Sequence, residues 1–118
     1  MKIIVNGSLP KEWKETLKEM MKRNEIRTWE FVMDGGYERL VHTGDKQYED
    51  VVIRLVQPGK DEIGKGVKYT HFIPAVRESV KGEEEIEVAK SHFGVVLGRF
   101  AEVLNCHFPE IKNYKTEL

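Results

Sequence analysis

The 118-residue sequence has few of the features that mark secreted or membrane proteins. It holds a single cysteine, Cys106, so an internal disulfide cannot form. Charges such as Arg54 and Arg99 interrupt the longest apolar stretches, and none reaches the roughly 18 residues of a membrane span. The segment Met1 to Pro10 lacks the basic and apolar parts of a secretory signal. These absences predict a soluble cytoplasmic protein with no membrane role.

The sequence also lacks an excess of charge of one sign. Nineteen basic and twenty acidic side chains leave a formal net charge of -1, so no overall field attracts the chain to nucleic acid. Four prolines, ten glycines, 40% hydrophobic and 33% charged residues are typical of a folded domain rather than a disordered one. At this length we expect one domain over residues 1–118.

The first third of the chain predicts a strand followed by a helix. Lys2 to Asn6 is short, apolar and β-branched, which favours a central strand. Ser8 can cap the next segment, and Pro10 fits the first turn of a helix that ends near Asn24. Apolar residues recur there at helical spacing: Trp13, Leu17, Met20 and Met21.

The middle of the chain alternates with a period of two and predicts an antiparallel meander. A strand from Arg27 turns at Asp34-Gly35-Gly36 into a second strand, Tyr37 to His42. A third strand spans Tyr48 to Val56, and a fourth spans Val67 to about Arg77. Pro74 predicts that the fourth strand lies at an edge or a bulge.

The C-terminal third predicts one long helix from Glu83 to Phe108. The order is then β-α-β-β-β-β-α. Two-layer packing assembles it as an α+β sandwich, a mostly antiparallel sheet of four to five strands with both helices on one face.

This helix also carries small and apolar residues beside its main stripe, and they motivate our leading functional hypothesis. Glycines in a helix cost stability, so we expect another element to approach closely there. The hypothesis is a non-catalytic interaction or regulatory protein whose partner is a protein, in the concrete form a homodimer. Its predicted interface is Gly94, Val95, Gly98, Ala101 and Val88.

The alternative hypothesis is a binding module for a small ligand or nucleic acid. It uses the sheet face opposite the helices, with the loop around residues 59–68 as a lid. Lysines bind phosphate, and aromatic rings stack on bases. The predicted ligand-binding residues are Lys60, Lys65, Lys68, Tyr69, His71 and Arg54.

Catalytic and metal-binding motifs are weak. Gly59 to Gly66 resembles a phosphate-binding loop but has Gly66 where a Ser or Thr hydroxyl must hold magnesium. His42 and His71 could form a site only if the fold brought them together, and Cys106 lies at a helix C-terminus, which disfavours a thiolate. We therefore predict no catalytic residue, no metal and no cofactor, and an enzyme is the less favoured interpretation.

Overall fold

The computed structural model describes residues 1–6, 12–57, 61, 64–65, 69–109, 111 and 114–117. The strands with described bounds are β1 (Lys2–Asn6), β2 (Trp29–Asp34), β3 (Tyr37–His42), β4 (Val51–Val56), β5 (Tyr69–Val76) and β6 (Tyr114–Glu117). The helices are α1 (Trp13–Lys22), α2 (Glu83–Ser91) and α3 (Phe93–His107), and a 3-10 turn covers Lys46–Tyr48. Ser8 and Pro10, the predicted start of the first helix, lie outside the described residues.

The strands form one antiparallel sheet in the order β2-β3-β4-β5-β1-β6. This confirms the predicted α+β fold with an antiparallel sheet. The predicted central position of β1 is also correct, since β1 lies between β5 and β6. The sequence analysis did not predict β6, which adds a sixth strand.

The predicted long C-terminal helix is divided at His92 into α2 and α3. The backbone N–H of His92 donates to the carbonyl of Ala89, a tight three-residue turn. The His92 Nδ1 atom lies 3.1 and 3.2 Å from the two carboxylate oxygens of Asp50. This contact joins the break to the segment before β4. Because it is tertiary, the apolar spacing of the helix alone could not reveal it.

The core lies between one sheet face and all three helices. Aromatic rings join the layers: Trp13 of α1 lies 5.5 Å from Phe72 of β5, and Phe100 of α3 lies 4.8 Å from Phe72 and 5.3 Å from Trp29. Ala89 of α2 is buried in the same cluster. The predicted packing of the helices on one face is therefore observed, with three helices among the described residues in place of two.

The opposite face is curved rather than flat. The Asp34 carboxylate at the end of β2 accepts a hydrogen bond of 2.9 Å from the backbone N–H of Glu78, just after β5. In a flat sheet β2 and β5 would lie about 14 Å apart, so this bond requires the sheet to curl. The curl explains why Val41 and Val52 are buried although their side chains point away from the helices.

Two local predictions differ in outcome. The turn at Gly35 and Gly36 is confirmed, with φ angles of 60° and 83° that suit a two-residue hairpin. The edge position predicted from Pro74 is wrong, because β5 lies between β4 and β1. The described pairs of β1 with β5 end at Phe72, so Pro74 lies beyond that ladder and its missing N–H removes no bond from it. In the described part of the chain, no helix is long and apolar enough to cross a membrane.

Candidate functional site

The main irregularity of the sheet is the short pairing between β3 and β4. Each strand has six residues, yet the ladder joins only Leu40 to Ile53 and Val41 to Val52. On its other side β4 pairs with β5 over six residue pairs. A cavity of about 470 Å³ lies beside the unpaired segments, and we call it the β3–β4 cleft. It is lined by Lys14, Tyr37, Glu38, Arg39, Arg54, Leu55 and Val56.

The ladder stops where two arginines would meet. In the register that joins Leu40 to Ile53, the next opposed residues are Arg39 and Arg54, both on the face away from the helices. Like charges directly opposite each other destabilise a strand pair. At about 5 Å, two unit charges repel by about 1 kcal/mol even in water, comparable to the contribution of one cross-strand pair. Charge repulsion therefore opposes pairing at this position.

On the helix side of the cleft, a cluster of opposite charges fixes the wall. The Nζ atoms of Lys14 and Lys18 lie 2.5 and 2.9 Å from the two carboxylate oxygens of Glu38. Hydrogen bonds from Lys14 and then Lys18 lower the pKa of Glu38. Both ammonium groups also lie over the Phe31 ring, 5.5 and 5.3 Å from its centre. Glu38 is therefore already neutralised by two lysines.

The arginines differ from these lysines because they lack an acidic partner. Within the described residues neither Arg39 nor Arg54 forms an ion pair. The Arg39 Nε atom is buried and has no hydrogen-bond partner there, although its guanidinium lies 5.7 Å from the centre of the Tyr37 ring. A buried donor without a partner is costly, so this atom would gain from an acceptor.

The fold brings together only some of the residues that the sequence predicted to bind a ligand. Arg54 lines the β3–β4 cleft, and His71 lies on the same sheet face, opposite Val56. Lys65 is exposed, and its N–H donates to the Asp61 carbonyl. Lys60 and Lys68 of the predicted set lie outside the described residues, as does the side chain of Tyr69.

The predicted interface set lies along α2 and α3. Val88 and Val95 are 53% and 42% exposed, and Gly94 and Gly98 are exposed as well. Ala101 instead packs partly against the core. Two observations bear on the predicted close approach to the glycines. A Cβ at Gly94 would lie 3.6 Å from the Met1 side chain, whereas one at Gly98 would meet no described atom within 4 Å.

The two histidines proposed for an enzymatic site do not meet. His42 points into the helix layer, where its ring lies 5.0 Å from Trp29, whereas His71 is on the opposite face. Arg99 Nη1 lies 3.4 Å from His42 Nε2, and because arginine only donates, that nitrogen must accept. Burial, and then the charge of Arg99, lowers the pKa of His42. In the described part of the chain no group of three acidic, His or Cys side chains could hold a metal ion.

Of the seven residues that line the cleft, only Arg54 was predicted from the sequence as a ligand-binding residue. A comparison of opposed charges would have singled out Arg39 as the residue that faces Arg54, had the register been known. No such signal was available for Lys14 of α1 or for Tyr37.

No protein-family model, curated protein or solved structure matches this chain.

Proposed function

We propose that this chain is a non-catalytic binding protein that holds the anionic group of a small ligand in the β3–β4 cleft. The observation that carries the proposal is the pair Arg39 and Arg54, two arginines without an acidic partner on either side of a break in the sheet. Guanidinium groups bind phosphate and carboxylate in a two-pronged geometry that lysine cannot reproduce. An anion between them would offset the repulsion of the two guanidinium charges.

The charge of the cleft favours an anion although the chain as a whole is slightly acidic. Lys14, Arg39 and Arg54 line the cleft with one carboxylate, Glu38, so its walls carry two positive charges in excess. The formal net charge of the chain is -1. The positive potential is therefore a local property of this cleft, as expected for a site that concentrates a small anion.

Titration with inorganic pyrophosphate, followed by calorimetry and by amide chemical shifts, tests this proposal. We expect Arg39→Gln and Arg54→Gln each to weaken binding at least tenfold, because each removes a charge-assisted contact. Arg54→Lys keeps the charge but loses the planar fork, and we expect it to recover only part of the affinity.

Lys81→Gln is the matched control, since Lys81 is exposed and does not line the cleft. It should bind pyrophosphate like the wild type. Equal affinity of the wild type and both arginine variants would overturn the proposal, and so would the absence of any pyrophosphate binding.

A second candidate function is self-association through α2 and α3, favoured by the exposure of Val88 and Val95. Apolar side chains in a shared interface would be removed from water in a dimer. Sedimentation over a hundredfold concentration range should then show a rising mass that Gly98→Arg abolishes. A constant monomer mass would contradict it.

The cytoplasmic location expected from the single cysteine also stays a prediction.

A further inference from the structure

We infer that the ligand of the β3–β4 cleft is a mononucleotide, whose phosphate lies between Arg39 and Arg54 and whose planar ring stacks on Tyr37. This inference rests on the proposed function and adds the class of ligand. It is carried by an exposed aromatic ring that lies on the same strand and the same sheet face as one of the two arginines.

Tyr37 presents its ring at the mouth of the cleft. The side chain lines the cavity and is 69% exposed, whereas an aromatic ring usually buries most of its area. Its one described ring contact is the guanidinium of Arg39, 5.7 Å from the ring centre. The remaining ring surface is open to solvent and can stack on a planar group.

The spacing along the strand fits one phosphate and one ring. Tyr37 and Arg39 are two residues apart on β3 and share a face, which places them about 6.8 Å from each other along the strand. In the register of the ladder, Val56 would face Tyr37 just as Arg54 would face Arg39, and Val56 is 41% exposed. The cleft therefore has a charged pair of positions, Arg39 and Arg54. Two residues farther along the strands it has an aromatic and apolar pair, Tyr37 and Val56. A nucleotide has the same order, with a pentose between phosphate and base.

Size and charge favour a mononucleotide over a nucleic-acid strand. The cavity of about 470 Å³ is within the range of sites for one small molecule. A protein that follows a nucleic-acid backbone needs an extended basic groove, and the formal net charge of this chain is -1. We therefore expect one nucleotide unit to account for the affinity.

The decisive experiment compares adenosine 5′-monophosphate with ribose 5-phosphate, which carries the same phosphate without the base. We expect the nucleotide to bind about tenfold more tightly, because stacking of one base on an aromatic side chain contributes about that factor. Tyr37→Ala should remove the difference, and Tyr37→Phe should keep it. Calorimetry at fixed ionic strength gives both affinities. Because Tyr37 is exposed, we expect neither variant to disturb the fold, and circular dichroism checks this.

The outcomes separate this inference from the proposed function. If pyrophosphate binds through Arg39 and Arg54 but the two monophosphates bind equally, only the stacking inference fails. If Tyr37→Ala retains the preference for the nucleotide, the base lies elsewhere and the inference is also wrong. Binding of a ten-nucleotide single strand more than a hundredfold tighter than the mononucleotide would replace it with nucleic-acid recognition. Failure of every phosphate compound to bind would overturn both proposals.

Discussion

The two edges of β4 differ although they belong to the same six residues. Toward β5 the strand is paired along its whole length, and Arg54 faces Ile73. Toward β3 only two pairs form, and Arg54 would face Arg39. Hydrophobic character cannot explain the difference, because Val52 and Ile53, which pair in both ladders, are buried. On the β3 side, the ladder ends where two like charges would be opposed, and no such pair occurs on the β5 side.

The same contrast separates a region that stabilises the fold from a region available for binding. On the paired side, Phe72 of β5 contacts Trp13 and Phe100 in the aromatic core. The side toward β3, at the β3–β4 cleft, holds unpaired strand segments and charged side chains. Binding sites often retain groups that the fold itself leaves unsatisfied, whereas core positions are satisfied by packing. Mutations should therefore act on stability in the first region and on binding in the second.

The largest effect is expected for Phe100→Ala in the packed region. Phe100 is buried against Phe72 and Trp29, and removal of such a ring leaves a cavity. We expect the free energy of unfolding to fall by about 3–5 kcal/mol in urea denaturation. Val95→Ala on the exposed side of the same helix is the control, with a change within about 0.5 kcal/mol. A loss below about 1 kcal/mol for Phe100→Ala would show that the core is not where stability lies.

A smaller effect is expected for Asp34→Ala, which tests the curl of the sheet. It removes the acceptor of the Glu78 N–H and should cost about 1–3 kcal/mol in the same denaturation experiment. Asp34→Asn retains an oxygen acceptor and should lose less. Faster amide hydrogen exchange at Val52 would accompany the loss if the curl opens. Unchanged stability of Asp34→Ala would show that the bond does not hold the two strands together.

These regions also differ in how far the sequence could predict them. The hairpin at Gly35 and Gly36 and the alternation around Arg54 are local signals, and the structure confirms both. His92, where the helix is divided, contacts Asp50, which is 42 residues away. The cleft depends on which residue of β3 faces Arg54. The division of the helix and the position of the cleft follow from strand register and tertiary contacts, which cannot be read from any short segment of the sequence.

A pH-dependent effect is expected from His42, which lies at the end of β3 and contacts Trp29. Burial and Arg99 lower its pKa in the folded protein, so the unfolded chain binds the proton more tightly. The free energy of unfolding should therefore decrease as the pH falls through about 6.5, the ordinary histidine pKa, toward the lower folded pKa. Denaturation between pH 7.5 and about pH 5 should give a shallower slope for His42→Gln. Arg99→Gln should reduce the slope in part, and equal slopes for all three proteins would contradict the assignment.

The smallest effect on stability is expected for Arg54→Glu, which should make the two edges of β4 more alike. It replaces a like-charge pair with an opposite-charge pair across β3 and β4, which should stabilise the fold by about 0.2–1 kcal/mol. Slower hydrogen exchange at the Glu38 and Leu55 amides would show that the ladder extends, while pyrophosphate binding is lost. Lys81→Glu makes the same change of net charge away from the cleft and should give neither result. If Arg54→Glu leaves both amides as exposed as before, repulsion between the arginines is not what holds the strands apart.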